Sequence, residues 1–149
     1  MNFKNEVYSS FIVMLTNKIN LLQQTLFDLN ESAKNETKST AGDKHETALA
    51  MLQIEQENVR RQIKQTQEQK VIFEKIDPSL QSPQVRIGSL VETDKDYFFV
   101  AAGIGKIILN DKTIIALSPQ SPLGTKLMGL QKNDRIQMKA VEYEIKNIY

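Results

Sequence analysis

Two heptad-patterned segments separated by a short polar break limit what this chain can fold into more than any other feature. In the first, Ile12, Leu15, Ile19, Leu22, Leu26 and Leu29 recur at alternating steps of three and four, with Tyr8 one step earlier. No proline or glycine interrupts the stretch from Asn5 to Ala33. A seam of this period suits a helix wound on a helical partner rather than one lying on a globular surface. Phe11, Met14 and Leu21 widen the apolar stripe toward the N-terminal end, where a bulkier partner is expected. In the second segment Leu49, Leu52, Val59 and Ile63 keep the heptad steps, with Gln56 inside the seam and Phe73 at its end. Gln56, Thr66 and Lys70 make this seam the more polar one, and Met51 and Ile54 are expected to share the contact.

Between Glu31 and Gly42 the apolar pattern stops, and Ser, Ala, Lys, Asn, Thr and Gly take over, as at a helix end and turn. Helix resumes near Asp43 and runs to about Ile76, where Asp77-Pro78 ends it. Long helices joined by a short turn pack as antiparallel neighbours, here a rod of roughly 40 Å with residues 39–47 near its tip. Pairing of each helix with a second copy is the alternative, and the shortness of the break favours the intramolecular hairpin.

Asp77-Pro78-Ser79-Leu80-Gln81-Ser82-Pro83 is a two-proline linker, and beyond it the period changes to two. Strands are expected over Val85–Val91, Tyr97–Ala101, Lys106–Leu109, Thr113–Leu117, Ile136–Met138 and Val141–Ile145, with a tight hairpin turn at Asn110-Asp111-Lys112. Ser121 as N-cap and Pro122 in the first turn start a short helix that buries Leu123, Leu127 and Met128 and ends at Gly129. The division is therefore a helical hairpin over 1–77, a linker over 78–84, and a small antiparallel sheet domain with one short helix over 85–149, an α+β chain.

Composition removes several kinds of chemistry. The 149 residues include no cysteine, so thiol nucleophiles, disulfides and thiolate metal sites are excluded. The single histidine, His45, excludes multi-histidine metal centres. A formal net charge of +1 leaves no global field for non-specific nucleic-acid binding. The N-terminus lacks the pattern of a signal peptide, and the apolar run Phe11–Leu15 is far short of a membrane span, so a soluble cytoplasmic protein is expected. Gly103 and Gly105 lack the spacing and the lysine of a phosphate loop and read as turn residues. No nucleophile–base pair is visible in the second unit, which reads as a docking module.

Asp43 and Glu46 stand three residues apart at a helix start, so their carboxylates share one face. The same spacing is that of a capping box, which explains both without any further role. His45 between them reads as a solvent-facing helix residue, and Lys34, Lys38 and Lys44 as a solvated turn that could also steer toward phosphates.

Gly42-Asp43-Lys44-His45-Glu46-Thr47 resembles the tip motif of the bacterial GreA/GreB transcript-cleavage factors. The similarity continues in Ile115-Ala116-Leu117-Ser118-Pro119-Gln120-Ser121-Pro122-Leu123-Gly124, in Leu127-x-Gly129, and in the ending Tyr143-Glu144-Ile145. The resemblance implies an FKBP-like C-terminal domain that docks at the rim of RNA polymerase's secondary channel. It also implies a hairpin that enters the channel and a Mg²⁺ held jointly by polymerase aspartates and by Asp43 and Glu46, for hydrolysis of backtracked RNA. On this reading the chain is an accessory factor rather than an enzyme, has no tightly bound cofactor, and meets the nascent RNA only indirectly. The family usually has leucine after the aspartate and asparagine after the glutamate, where this chain has Lys44 and Thr47. That departure keeps open a regulator that occupies the channel without cleavage. The FKBP-like pattern raises a third reading, a peptidyl-prolyl isomerase or chaperone, for which Tyr97, Phe98, Phe99, Tyr143 and Tyr149 are the available aromatics.

Overall fold

The computed structural model describes residues 2–37 and 43–149, without the side chains of Thr37, Asp43, Lys44 and His45. Two long helices come first, α1 (Phe3–Thr37) and α2 (Asp43–Glu74). They are followed by β1 (Leu90–Thr93), β2 (Tyr97–Val100), β3 (Gly105–Leu109), β4 (Lys112–Leu117), α3 (Pro122–Leu127), β5 (Arg135–Met138) and β6 (Val141–Ile148). The protein is α+β: two packed helices and a six-stranded mixed sheet with one short helix. The chain divides into two compact units, Met14–Glu68 and, together, Met1–Val13 with Gln69–Tyr149.

In the first of these units α1 and α2 meet along their seams. Leu15, Ile19 and Val59 are buried, and Leu22, Leu26, Leu29, Leu49, Leu52 and Ile63 are half-buried. The polar seam positions are occupied as the spacing predicts. Thr66 is 1% exposed, and its hydroxyl donates to Gln62 O at 2.7 Å, which satisfies it without a partner from the other helix. Gln56 Nε2 donates to Asn30 Oδ1 at 2.8 Å, a polar bridge between the helices. Met51 and Ile54 do not share the contact: they are 64% and 61% exposed, on a part of the α2 surface turned away from the seam.

The second unit centres on the sheet, whose strand order is β3-β4-β2-β1-β6-β5. All its ladders are antiparallel except β2 with β4, which is parallel. The parallel pair, absent from the sequence reading, arises because β4 returns between β3 and β2. Residues 101–104 therefore step over one strand position before β3 begins. Gly105 opens β3 with φ +112°, a backbone region that side chains disfavour. The hairpin turn between β3 and β4 is two residues, Asn110 and Asp111, both with positive φ (52° and 62°) and with Leu109 facing Lys112. Asn and Asp tolerate that conformation best among residues with side chains.

Both faces of the central strands are covered, so β2 reads Tyr-Phe-Phe-Val without a polar position. On one face Val91, Phe98, Val100, Leu117, Ile136, Ile145 and Ile148 pack with Leu127 of α3 and with Val85. On the other, Phe99 meets Phe11 and Phe73 from the ends of α1 and α2, with ring centroids 6.0 and 5.7 Å away. Val7 is fully buried as well. The buried line at the start of α1 is thus Val7–Phe11, while Tyr8 and Ile12 of the heptad extrapolation are half-buried. There the helix has a sheet as well as a helix to cover, and its apolar face widens and rotates accordingly. The bulkier partner expected near Phe11 is this aromatic layer.

Ser121 caps α3 as predicted, accepting from Gly124 N at 3.1 Å and donating to Ser118 O at 2.6 Å. Gly129 follows the helix with φ +82°. Its N–H donates to Val85 O, and Val85 N donates to Leu130 O, both at 2.8 Å. This two-way bond anchors the chain where it leaves the linker.

Candidate functional site

The sequence places its chemistry at Asp43 and Glu46. Asp43 is the first residue of α2, and Glu46 lies in the first turn with an exposed side chain. Positions three apart at a helix start lie on one helix face, and 43 and 46 are so spaced. The Asp43 carboxylate and residues 38–42 lie outside the described residues, as do the side chains of Lys44 and His45. Both the capping box and the paired-carboxylate reading bear on that region. Of the cations expected to surround it, Lys34 is exposed and forms an i,i+3 pair with Glu31 at 3.3 Å; Lys38 lies outside the described residues.

An exposed carboxylate at the start of a helix is well suited to a hard cation. Oxygen is the donor that Mg²⁺ prefers, and this ion keeps several waters, so one or two carboxylates contribute only part of its shell. Negative charge is also favoured at a helix N-terminus, where the first amides carry no intrahelical partner. Residues of that character fit an ion completed by ligands from another molecule.

The aromatic residues considered for an isomerase pocket do not gather into one. Phe98 and Phe99 are 1% and 0% exposed and belong to opposite faces of the sheet. Tyr143 packs edge-on against Phe98 with centroids 5.4 Å apart. Tyr97 and Tyr149 remain at the surface near Glu92, whose Oε1 accepts from Tyr149 Oη at 3.0 Å and from Asn147 Nδ2 at 3.1 Å. Burial first, and then the Glu92 charge, push the Tyr97 hydroxyl up to about 12.

One buried charge was not visible in the sequence. Lys4, in the first turn of α1, is 7% exposed and donates to Leu80 O at 2.7 Å. Burial lowers its pKa, and the charge of Asp77 partly opposes that shift. A lysine at the start of an amphipathic helix normally points to water, and nothing in the residues around position 4 signals otherwise.

No protein-family model matches the chain, and no curated protein matches it. Among solved structures it is similar to the structure of the transcription factor Gfh1, with 14% identity over 93% of this chain and 92% of that chain. The TM-score of that superposition is 0.37, below the level that marks a shared fold.

Proposed function

We propose that this protein is a GreA/GreB-like accessory factor that binds RNA polymerase through its secondary channel and stimulates cleavage of backtracked RNA. The observation that carries the reading is the position of the acidic pair. α2 opens at Asp43, six positions after α1 ends at Thr37, with Glu46 exposed in its first turn. The sequence resemblance of that stretch and of residues 115–129 to the family supports the same reading, as does the combination of paired helices with a small sheet. The partner is a bacterial RNA polymerase, and the RNA 3′ end is met only inside that complex.

In this mechanism the chain contributes ligands and position rather than a complete catalytic centre. Asp43 and Glu46 would hold part of the coordination shell of a Mg²⁺ whose other ligands belong to the polymerase. Such an ion supplies activation of water and stabilisation of the phosphoryl oxygens. The start of α2 would present the two carboxylates on one face, and the sheet unit would supply the docking surface.

The test is a stalled elongation complex with backtracked, labelled RNA, cognate polymerase and Mg²⁺. Wild type is expected to release short 3′ fragments, and the variant with Asp43→Ala and Glu46→Ala to release none while still binding polymerase. No fragment release by wild type, with binding retained, would instead establish a channel-occupying regulator, the reading that Lys44 and Thr47 favour. Failure to bind polymerase at all would sink both.

A further inference from the structure

We propose that the cleft bounded by the start of α1, the linker and strands β2 and β4 is a binding site for a small organic anion that carries a planar ring. The cleft has a volume of about 290 Å³ and is lined by Phe3, Lys4, Leu80, Tyr97, Lys112 and Tyr149 among others. An apolar cavity of about 150 Å³ already takes benzene, so this volume accommodates one ring with its anionic substituent. The walls supply both halves of such a ligand's recognition.

The apolar half is aromatic. Phe3 and Tyr97 stand edge to face with centroids 5.6 Å apart, and the Tyr149 ring, partly exposed, lines the same space. The ionic half comes from two lysines. Lys112 Nζ sits 5.3 Å from the Phe3 centroid and 6.0 Å from that of Tyr97, which places a cation at the aromatic wall. Lys4 is the more telling of the two. Its side chain is mostly buried, and its ammonium, with three donors, reaches the cleft and among the described residues donates only to Leu80 O.

A partly desolvated ammonium with one protein acceptor and only the more distant Asp77 charge beside it favours the approach of a further anion. The neighbouring carboxylates make their hydrogen bonds elsewhere, and Asp77 acts on Lys4 only through its charge at longer range. Asp77 accepts from the backbone N–H and the hydroxyl of Ser79 at 2.9 and 2.6 Å, and Glu92 accepts from Tyr149 and Asn147. Neither is within ion-pair distance of Lys4 or Lys112 among the described residues. A phosphate or carboxylate in the cleft would accept further hydrogen bonds from the Lys4 ammonium, while the attached ring lies against the aromatic wall.

Isothermal titration of the full chain tests this with four probes: uridine monophosphate, phenyl phosphate, uridine and inorganic phosphate. At least one ring-bearing phosphate is expected to bind with a Kd of about 1 mM or below, and uridine and inorganic phosphate roughly tenfold more weakly or worse. Preference for uridine monophosphate over phenyl phosphate would identify a nucleotide site, and the reverse a site for simpler aromatic anions. Lys112→Ala, at an exposed position, is expected to weaken binding about fivefold or more without changing the melting temperature. Lys4→Met should remove binding, and if that variant fails to fold, Lys112→Ala decides. Absence of binding by both ring phosphates at about 10 mM, equal binding of inorganic phosphate, or unchanged binding by Lys112→Ala would overturn the proposal. The variant with Asp43→Ala and Glu46→Ala should bind like wild type, so this outcome is independent of RNA cleavage.

Discussion

The rings of Phe73 and Phe99 lie stacked, 5.7 Å between centroids and 10° from parallel, which ties the last turn of α2 to the second strand of the sheet. Phe11 contacts both, at 5.7 and 6.0 Å, so three aromatic side chains from three elements close one core layer. Tyr8 adds a hydroxyl that donates to Phe73 O at 2.8 Å.

Phe73→Ala should therefore destabilise the protein by about 3–5 kcal/mol, through lost burial and the cavity left between Phe11 and Phe99. Urea unfolding followed by circular dichroism measures it. A cost below about 1 kcal/mol would mean that the sheet holds its fold without the helix ends.

The bridge from Gln56 to Asn30 should contribute more to specificity than to stability. Gln56→Leu alone leaves Asn30 without its partner and should cost about 1 kcal/mol. Adding Asn30→Leu should recover that cost or exceed it, because both polar groups leave the seam together. A double-mutant cycle on unfolding free energies reads the coupling directly, and additive effects would contradict it.

Gly124 is required for closeness rather than conformation. A Cβ at this position would lie 1.9 Å from Ser118 O, the carbonyl to which Ser121 donates. Gly124→Ala should force the turn before α3 apart and cost about 1–3 kcal/mol or more, whereas Ser121→Ala should cost about 1 kcal/mol through the lost cap. Comparison of melting temperatures distinguishes the two, and equal, small losses would show that the turn yields.

Acid should weaken the sheet unit through Asp94 and Glu144. The N–H of Glu144 donates to Asp94 Oδ1 at 2.9 Å, and this bond is the first cause holding the Asp94 carboxyl below its usual 3.8. The bond from Lys146 at 2.9 Å is the first cause lowering Glu144 from 4.5. Folded values below the unfolded ones mean that the unfolded chain binds more protons in between. Their stabilisation is therefore complete above the unfolded values and lost as pH falls through the folded ones. Melting temperatures from about pH 6 to pH 3 should fall less steeply for Asp94→Asn, whose side-chain oxygen still accepts the Glu144 N–H without titrating. An unchanged slope would remove Asp94 from the acid response.

The elements with one apolar face were legible because their period is a local property. The heptad steps of Leu15–Leu29 and Leu49–Ile63, the turn at Asn110-Asp111 and the Ser121 cap each depend on neighbours a few residues away. The parallel pairing of β2 with β4 was not legible, since it depends on which gap β4 enters, and either neighbour would satisfy its backbone. The outward placement of Met51 and Ile54, and the shift of the α1 seam to Val7 and Phe11, were hidden for a related reason. Apolar character says that a residue can be buried, whereas its face depends on what the fold brings opposite.

The same division holds for the candidate sites. The acidic pair is a reading of the sequence alone: spacing along one helix puts positions 43 and 46 on one face, and the Asp43 side chain lies outside the described residues. Only the tertiary structure decided that Lys4 would be buried beside Leu80, and that Phe3, Tyr97, Lys112 and Tyr149 would line one cleft. Those residues lie as many as 146 positions apart, from Phe3 to Tyr149. No local pattern links them, because their proximity follows from helix ends, linker and strands packing about a common aromatic core.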